Sequence, residues 1–159
     1  MLKNSSMHLL LPDLITVILC CLAPKSTIRS LQLVQNAAAR VLTGTKRRDH
    51  ISPVLQYLHW LPVELRIKFK VLLLTYKTLN SMDTSYLQDA IVLYQPNRAL
   101  RSQNAGLLVV PRVSKSTVGG RAFSYQAPVL WNQLPADVKQ APTVSVFKTR
   151  LKPSSWYSL

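Results

Sequence analysis

Chemistry that transfers phosphoryl or nucleotidyl groups through divalent metals needs two or three carboxylates brought to one point. This 159-residue chain holds six acidic residues, Asp13, Asp49, Glu64, Asp83, Asp89 and Asp137, and no two are adjacent. Its histidines, His8, His50 and His59, stand at no metal-ligand interval. Its two cysteines, Cys20 and Cys21, are neighbours that cannot easily bridge each other and form no Cys-x-x-Cys. The sequence contains no glycine-rich phosphate loop, no Gly-x-Ser-x-Gly and no His–carboxylate–nucleophile set. The expectation is a chain that is not an enzyme on its own and uses no metal, cofactor or small-molecule substrate.

The cations are the residues with something to act on. Twenty Lys and Arg against six Asp and Glu leave a net charge of +14, spread from Lys3 to Lys152. Such a field attracts polyanions, of which nucleic acid is the commonest in a cell. The plainer reading is a basic, unspecialised surface, or a fragment of a longer chain that carried the balancing acid. The best local candidate for a phosphate-contacting surface is the stretch holding Arg98, Arg101, Arg112, Lys115 and Arg121, which has no acidic residue within it. Each arginine fork can grip a phosphate bidentately, and Ser102, Ser114, Ser116 and Thr117 can add hydroxyl contacts. Against this stands the reading of a solvated basic loop, because the spacing carries no code.

Three helices in a row, over Pro24 to Asn80, must position much of this charge. Ile28, Leu31, Val34, Ala38, Val41 and Leu42 recur at three and four, one apolar stripe, with Ser26 or Thr27 as the N-cap and Gly44 as the stop. Ser52-Pro53 opens a second helix with Val54, Leu55 and Leu58 as its apolar face. Pro62 restarts the chain into a third helix. It is apolar over most of its girth (Val63, Ile67, Val71 and Leu74 on one stripe, Leu65, Phe69, Leu72, Tyr76 and Leu79 on another) and is expected to be central. Tyr86 to Leu93 has helical spacing, with Thr84 as its cap. Leu107 to Val110, bounded by Gly106 and Pro111, suits a short strand. Helical segments are expected again from Arg121 to Leu134, interrupted by Pro128, and from Thr143 to Lys152 with Val144, Phe147 and Leu151 on one face. The fold class is therefore mainly α: a bundle of three to four helices, then a loop-rich segment with short strands, then C-terminal helices.

Residues 1–23 are ambiguous. Lys3 followed by the apolar run Leu14–Ala23 has some features of a targeting segment. Pro12 and Asp13 leave only ten uncharged residues, against the roughly 20 needed to span a bilayer. The favoured reading is a buried strand or helix. With no disulfide framework, a reducing compartment, cytoplasmic or nuclear, is favoured over secretion.

Three stretches together carry a resemblance. LQLVQNAAARVLTGTKRRDHISPVLQYLHWLPVELRIKFKVLLLTYKTLN (Leu31–Asn80), RSQNAGLLVVPRVSKSTVGGRAFSYQAPVLWNQLPADVK (Arg101–Lys139) and SVFKTRLK (Ser145–Lys152) follow one another in order. Together they resemble the region after the reverse-transcriptase core in non-long-terminal-repeat retrotransposons, LINE elements of the jockey and chicken-repeat type. The strings Gln35-Asn36-Ala37-Ala38-Ala39-Arg40 and Leu130-Trp131-Asn132-Gln133-Leu134-Pro135 make it specific. The resemblance implies a thumb and post-polymerase remnant of an RNA-directed DNA polymerase polyprotein, without the palm aspartates, the endonuclease or a Cys-x-x-Cys knuckle. It divides the chain into a divergent apolar segment (1–23), a thumb-like helical region (24–93), a basic loop and strand region (94–121), a C-terminal helical region (122–152) and a tail (153–159). It implies contact with RNA or DNA backbone, first through Arg40, Lys46, Arg47 and Arg48, then through Arg98, Arg101, Arg112 and Arg121. Thumb helices cut from a palm expose the face that packed there, so the helix Val63–Leu79 is expected to drive self-association. Two alternatives stand beside this reading: a small membrane-associated or secreted basic protein using residues 1–23, and a genomic fossil with no selected activity.

Overall fold

Gly44 and Pro62 break the first half of the chain into three helices at the positions the sequence predicts. A computed structural model describes residues 23–80, 82, 85–95, 106–113 and 119–151. Helix α1 runs Lys25–Thr43, α2 runs Ile51–Tyr57 and α3 runs Val63–Leu79. Helix α1 starts two residues earlier than a Ser26 cap allows. Pro24 sits at the cap position in an extended conformation, and no side chain caps the helix. Helix α2 likewise begins before Ser52-Pro53, with His50 at its cap. Pro53 is still in the first turn, where amides lack an intrahelical acceptor and its missing N–H costs nothing.

Helices α1 and α2 end in the same way. At α1, Gly44 takes φ 65° and the Thr45 amide donates back to the Arg40 carbonyl. At α2, the Trp60 amide donates to Leu55 O at 2.8 Å and that of His59 to Gln56 O at 3.0 Å, with His59 at φ 53°. These are Schellman-type ends, which need a left-handed residue just past the helix.

Helix α3 is central. It packs against α1 and α4 (Ser85–Asp89), and against two C-terminal helices, α5 (Phe123–Asn132) and α7 (Val144–Leu151). Val71, Leu72, Leu74 and Tyr76 are buried. Thr75 and Thr78 are buried as well, each hydroxyl donating to the carbonyl four residues back at 2.8 and 2.9 Å. The Tyr76 ring stacks on Phe147 with centroids 4.3 Å apart, its hydroxyl donates to Ala141 O at 2.6 Å, and Trp131 lies 6.1 Å from Phe147. The C-terminal half of α3 is thus covered by its own chain. The apolar face expected to drive self-association is not exposed there, because α5 and α7 occupy it.

Instead, Val92, Leu93, Tyr94, Val109 and Val110 are exposed, and helix α1 carries an open apolar surface as well. Its inward contacts are polar: Gln35 Nε2 donates to Leu61 O at 2.9 Å, and Gln32 Oε1 accepts the Val63 amide at 2.8 Å, capping the start of α3. Gln32 is held in turn by Asn36 Oδ1 at 2.8 Å, and Ala39 is the one fully buried residue of α1. The stripe read from the sequence points away, with Val34 68%, Val41 82% and Leu42 66% exposed.

The second half differs from the sequence reading in two places. Helix α4 ends at Asp89, and Leu93 forms an isolated antiparallel bridge with Leu108. No strand is present among the described residues. The bridge rests on the Tyr94 amide donating to Leu107 O and the Val109 amide to Val92 O, while on the opposite edge the Asn132 side chain takes both the amide and the carbonyl of Leu108, at 2.9 Å each, where a further strand would pair. Trp131 Nε1 donates to Gly106 O at 2.9 Å and pins the same segment. A 3₁₀ turn, Gly119–Arg121, leads into α5, which runs through Pro128 without breaking. The four-residue α6, Ala136–Lys139, follows Pro135, and Thr143 Oγ1 accepts the Val146 amide at 3.3 Å to cap α7.

Candidate nucleic-acid interface

Fifteen cations and four acids lie among the described residues, so one-for-one pairing would leave most of the positive charge uncompensated. Of those acids, Glu64 pairs with Lys68 at 3.0 Å on an exposed turn of α3. Asp49 is engaged by backbone: its carboxylate accepts the Lys46 amide at 3.2 Å, and its own amide donates to Lys46 O at 3.1 Å.

This arrangement shapes the α1–α2 turn. Asp49 folds residues 46–49 back on themselves, and Arg40 Nη2 reaches across from α1 to the Asp49 carbonyl at 3.2 Å. Lys46, Arg47 and Arg48 are left exposed on the resulting loop. Arg40 itself is half-buried, with its Nε shielded and without a hydrogen-bond partner. It therefore fastens the turn and offers only part of its fork to a phosphate, whereas Arg47 and Arg48 offer all of theirs.

The other candidates divide. Arg112 is exposed beyond the Leu93–Leu108 bridge, and Arg121 is half-buried and engaged at the end of the 3₁₀ turn. Arg98 and Arg101 lie outside the described residues. The structure brings Arg40, Lys46, Arg47 and Arg48 into one patch, and Arg112 and Arg121 belong to a different part of the chain.

Two cations missed by sequence reasoning extend the first patch. Lys25 and Arg29 are exposed on α1. Arg29 precedes Arg40 by eleven residues, about three turns, which returns it to nearly the same side of the helix. That interval was the available signal. A row from Lys25 through Arg29 and Arg40 to the 46–48 turn would follow a backbone along the length of α1, about 27 Å at 1.5 Å per residue.

Lys139 behaves differently from these cations. It borders a shallow cleft of about 210 Å³ together with Leu79, Leu93 and Trp131. Its ammonium lies 3.5 Å from Asn132 O, and desolvation by burial lowers its pKa from 10.5. No group of three His, Cys, Asp or Glu among the described residues is placed to hold a metal ion. No helix among them is long and apolar enough to cross a membrane. The chain matches no known protein-family profile, no curated protein and no solved structure.

Proposed function

We propose that the chain is a non-catalytic module of a LINE-type reverse-transcriptase polyprotein that binds RNA or DNA by its phosphate backbone. The observation that carries the reading is the α1–α2 turn. Three consecutive cationic side chains stand exposed on a loop whose one acid, Asp49, has its carboxylate occupied by the Lys46 backbone amide. A loop fastened in this way presents its charges with little further ordering cost on binding. The resemblance of Leu31–Asn80 and Arg101–Lys139 to the post-polymerase region supports the same partner, and the net charge of +14 supplies long-range attraction. Contacts to phosphate carry no sequence information, so the binding is expected to be indifferent to sequence.

The test is fluorescence-anisotropy titration of the chain against a single strand, a duplex and an RNA–DNA hybrid across a salt series. Affinity should fall steeply with salt, because each neutralised phosphate releases counterions. Charge reversal at Arg47 and Arg48 together should lower the logarithmic salt slope by about 1.4 for a single strand and about 1.8 for a duplex, at roughly 0.7 and 0.9 per contact. An unchanged slope in a variant of native helical content places the contacts elsewhere. No binding at low salt removes the proposal and leaves the charge as inheritance.

A further inference from the structure

An exposed aromatic ring is ordinary by itself, and what singles out Tyr57 is where it stands. It ends helix α2, is 79% exposed, and among the described residues its ring stacks on no other. The helix buries Leu55 and turns Ser52, Pro53, Gln56 and Tyr57 outward, so the ring is the only aromatic group on that face. Exposed cations flank it along the chain: Lys46, Arg47 and Arg48 before α2, and Arg66 in the first turn of α3. From Ile51 to Tyr57 the helix rises about 9 Å. A strand leaving the Lys46–Arg48 turn covers that distance in about two to three nucleotides, at roughly 3.4 Å of stacked rise each.

Cations interleaved with an open ring suit an unpaired strand: the cations follow the phosphates while a base lies flat on the ring. A duplex can use the cations but not the ring, because each of its bases already has both faces covered within the stack. Stacking also tolerates any base, since every base has a π-face, and so agrees with binding that is indifferent to sequence. A protein partner fits this place less well. It would bury contiguous apolar surface, whereas the companions of Tyr57 on the outward face of α2 are a serine, a proline and a glutamine. The neighbouring charge is complementary to phosphate.

We infer that Tyr57 is a stacking platform for an unpaired base, which makes single-stranded nucleic acid, rather than duplex, the preferred partner of the Lys46–Arg48 turn. This rests on the backbone binding proposed for that turn, and the experiment separates the two. The full chain, Tyr57→Ala and Tyr57→Phe are each titrated by fluorescence anisotropy at low salt against three probes of equal length. The probes are a thymidine homopolymer, the same sugar–phosphate strand without bases, and a duplex. Tyr57→Ala should weaken binding to the thymidine strand by about 5- to 100-fold. It should leave the abasic strand and the duplex unchanged, and Tyr57→Phe should match the parent on all three. Circular dichroism confirms native helical content, which substitution at so exposed a position should preserve. Unaltered affinity of Tyr57→Ala for the thymidine strand would overturn the inference and leave backbone binding standing. An equal loss on the abasic strand or the duplex, or a loss in Tyr57→Phe as large as in Tyr57→Ala, would overturn it as well. A parent chain that binds none of the three probes would remove both readings together.

Discussion

At the scale of single residues, Asn132 does the most with the fewest atoms. Its amide supplies both the acceptor and the donor that the Leu108 backbone would find in a neighbouring strand. Leu108 is 2% exposed, so removing the amide strands two buried polar groups. Asn132→Ala should cost about 1–3 kcal/mol in urea unfolding. Asn132→Asp should be no better, because its carboxylate would face the Leu108 carbonyl where a donor is needed. Lys139 offers a pH-dependent contrast. Burial lowers its folded-state pKa below 10.5, so between the two values the unfolded chain holds a proton that the folded chain has released. Its contribution therefore favours folding more as pH rises through that window, and the penalty is fully present below it. The stability gap between the parent chain and Lys139→Met should narrow as pH climbs toward 10.5, read by denaturant unfolding of both at each pH.

At the scale of elements, α1 and α2 share a C-terminal design that one sequence signal announces and the other conceals. Gly44 adopts φ 65° without strain, whereas His59 adopts φ 53° with a Cβ in the way. His59→Gly is expected to stabilise the protein and Gly44→Ala to destabilise it, each by about 1 kcal/mol, visible as opposite shifts in thermal midpoint. Helix positions in the first half were legible because Gly44 and Pro62 are local punctuation. The side on which α1 packs was not legible, because periodicity selects the apolar stripe and the real contacts are the amides of Gln32 and Gln35. Their partners, Val63 N and Leu61 O, are backbone atoms that no side-chain pattern encodes. The strand expected at Leu107–Val110 is reduced to a single bridge, and Leu108 takes its outward partners from Asn132, 24 residues on, which no local pattern announces. Of the candidate site, the Lys46–Arg48 cluster came from the resemblance, whereas charge alone pointed to the stretch from Arg98 to Arg121. That Arg40 also fastens the turn depends on Asp49 O, which only the fold places within reach.

At the scale of the whole molecule, the main hydrophobic cluster is built from α3 to α7, and neither α1 nor α2 adds a buried residue to it. The two halves of the molecule should therefore open at different free energies. In native-state hydrogen exchange, amides of α1 and α2 should exchange through a lower-energy opening than those of α3, α5 and α7, while a single common free energy would show one cooperative unit. Charge reversal at Arg47 and Arg48 should leave the α3–α7 protection pattern unchanged, because the binding turn lies outside that cluster. The Tyr76–Ala141 hydrogen bond also sets a schedule. Its two ends are 65 residues apart, so at about 5–20 residues per second a ribosome delivers α3 several seconds before the carbonyl that takes its tyrosine. A helix forms in about a microsecond. For that interval, long on a molecular clock, the face of α3 that α5 and α7 will cover is bare, and the helix lacks the packing that holds it.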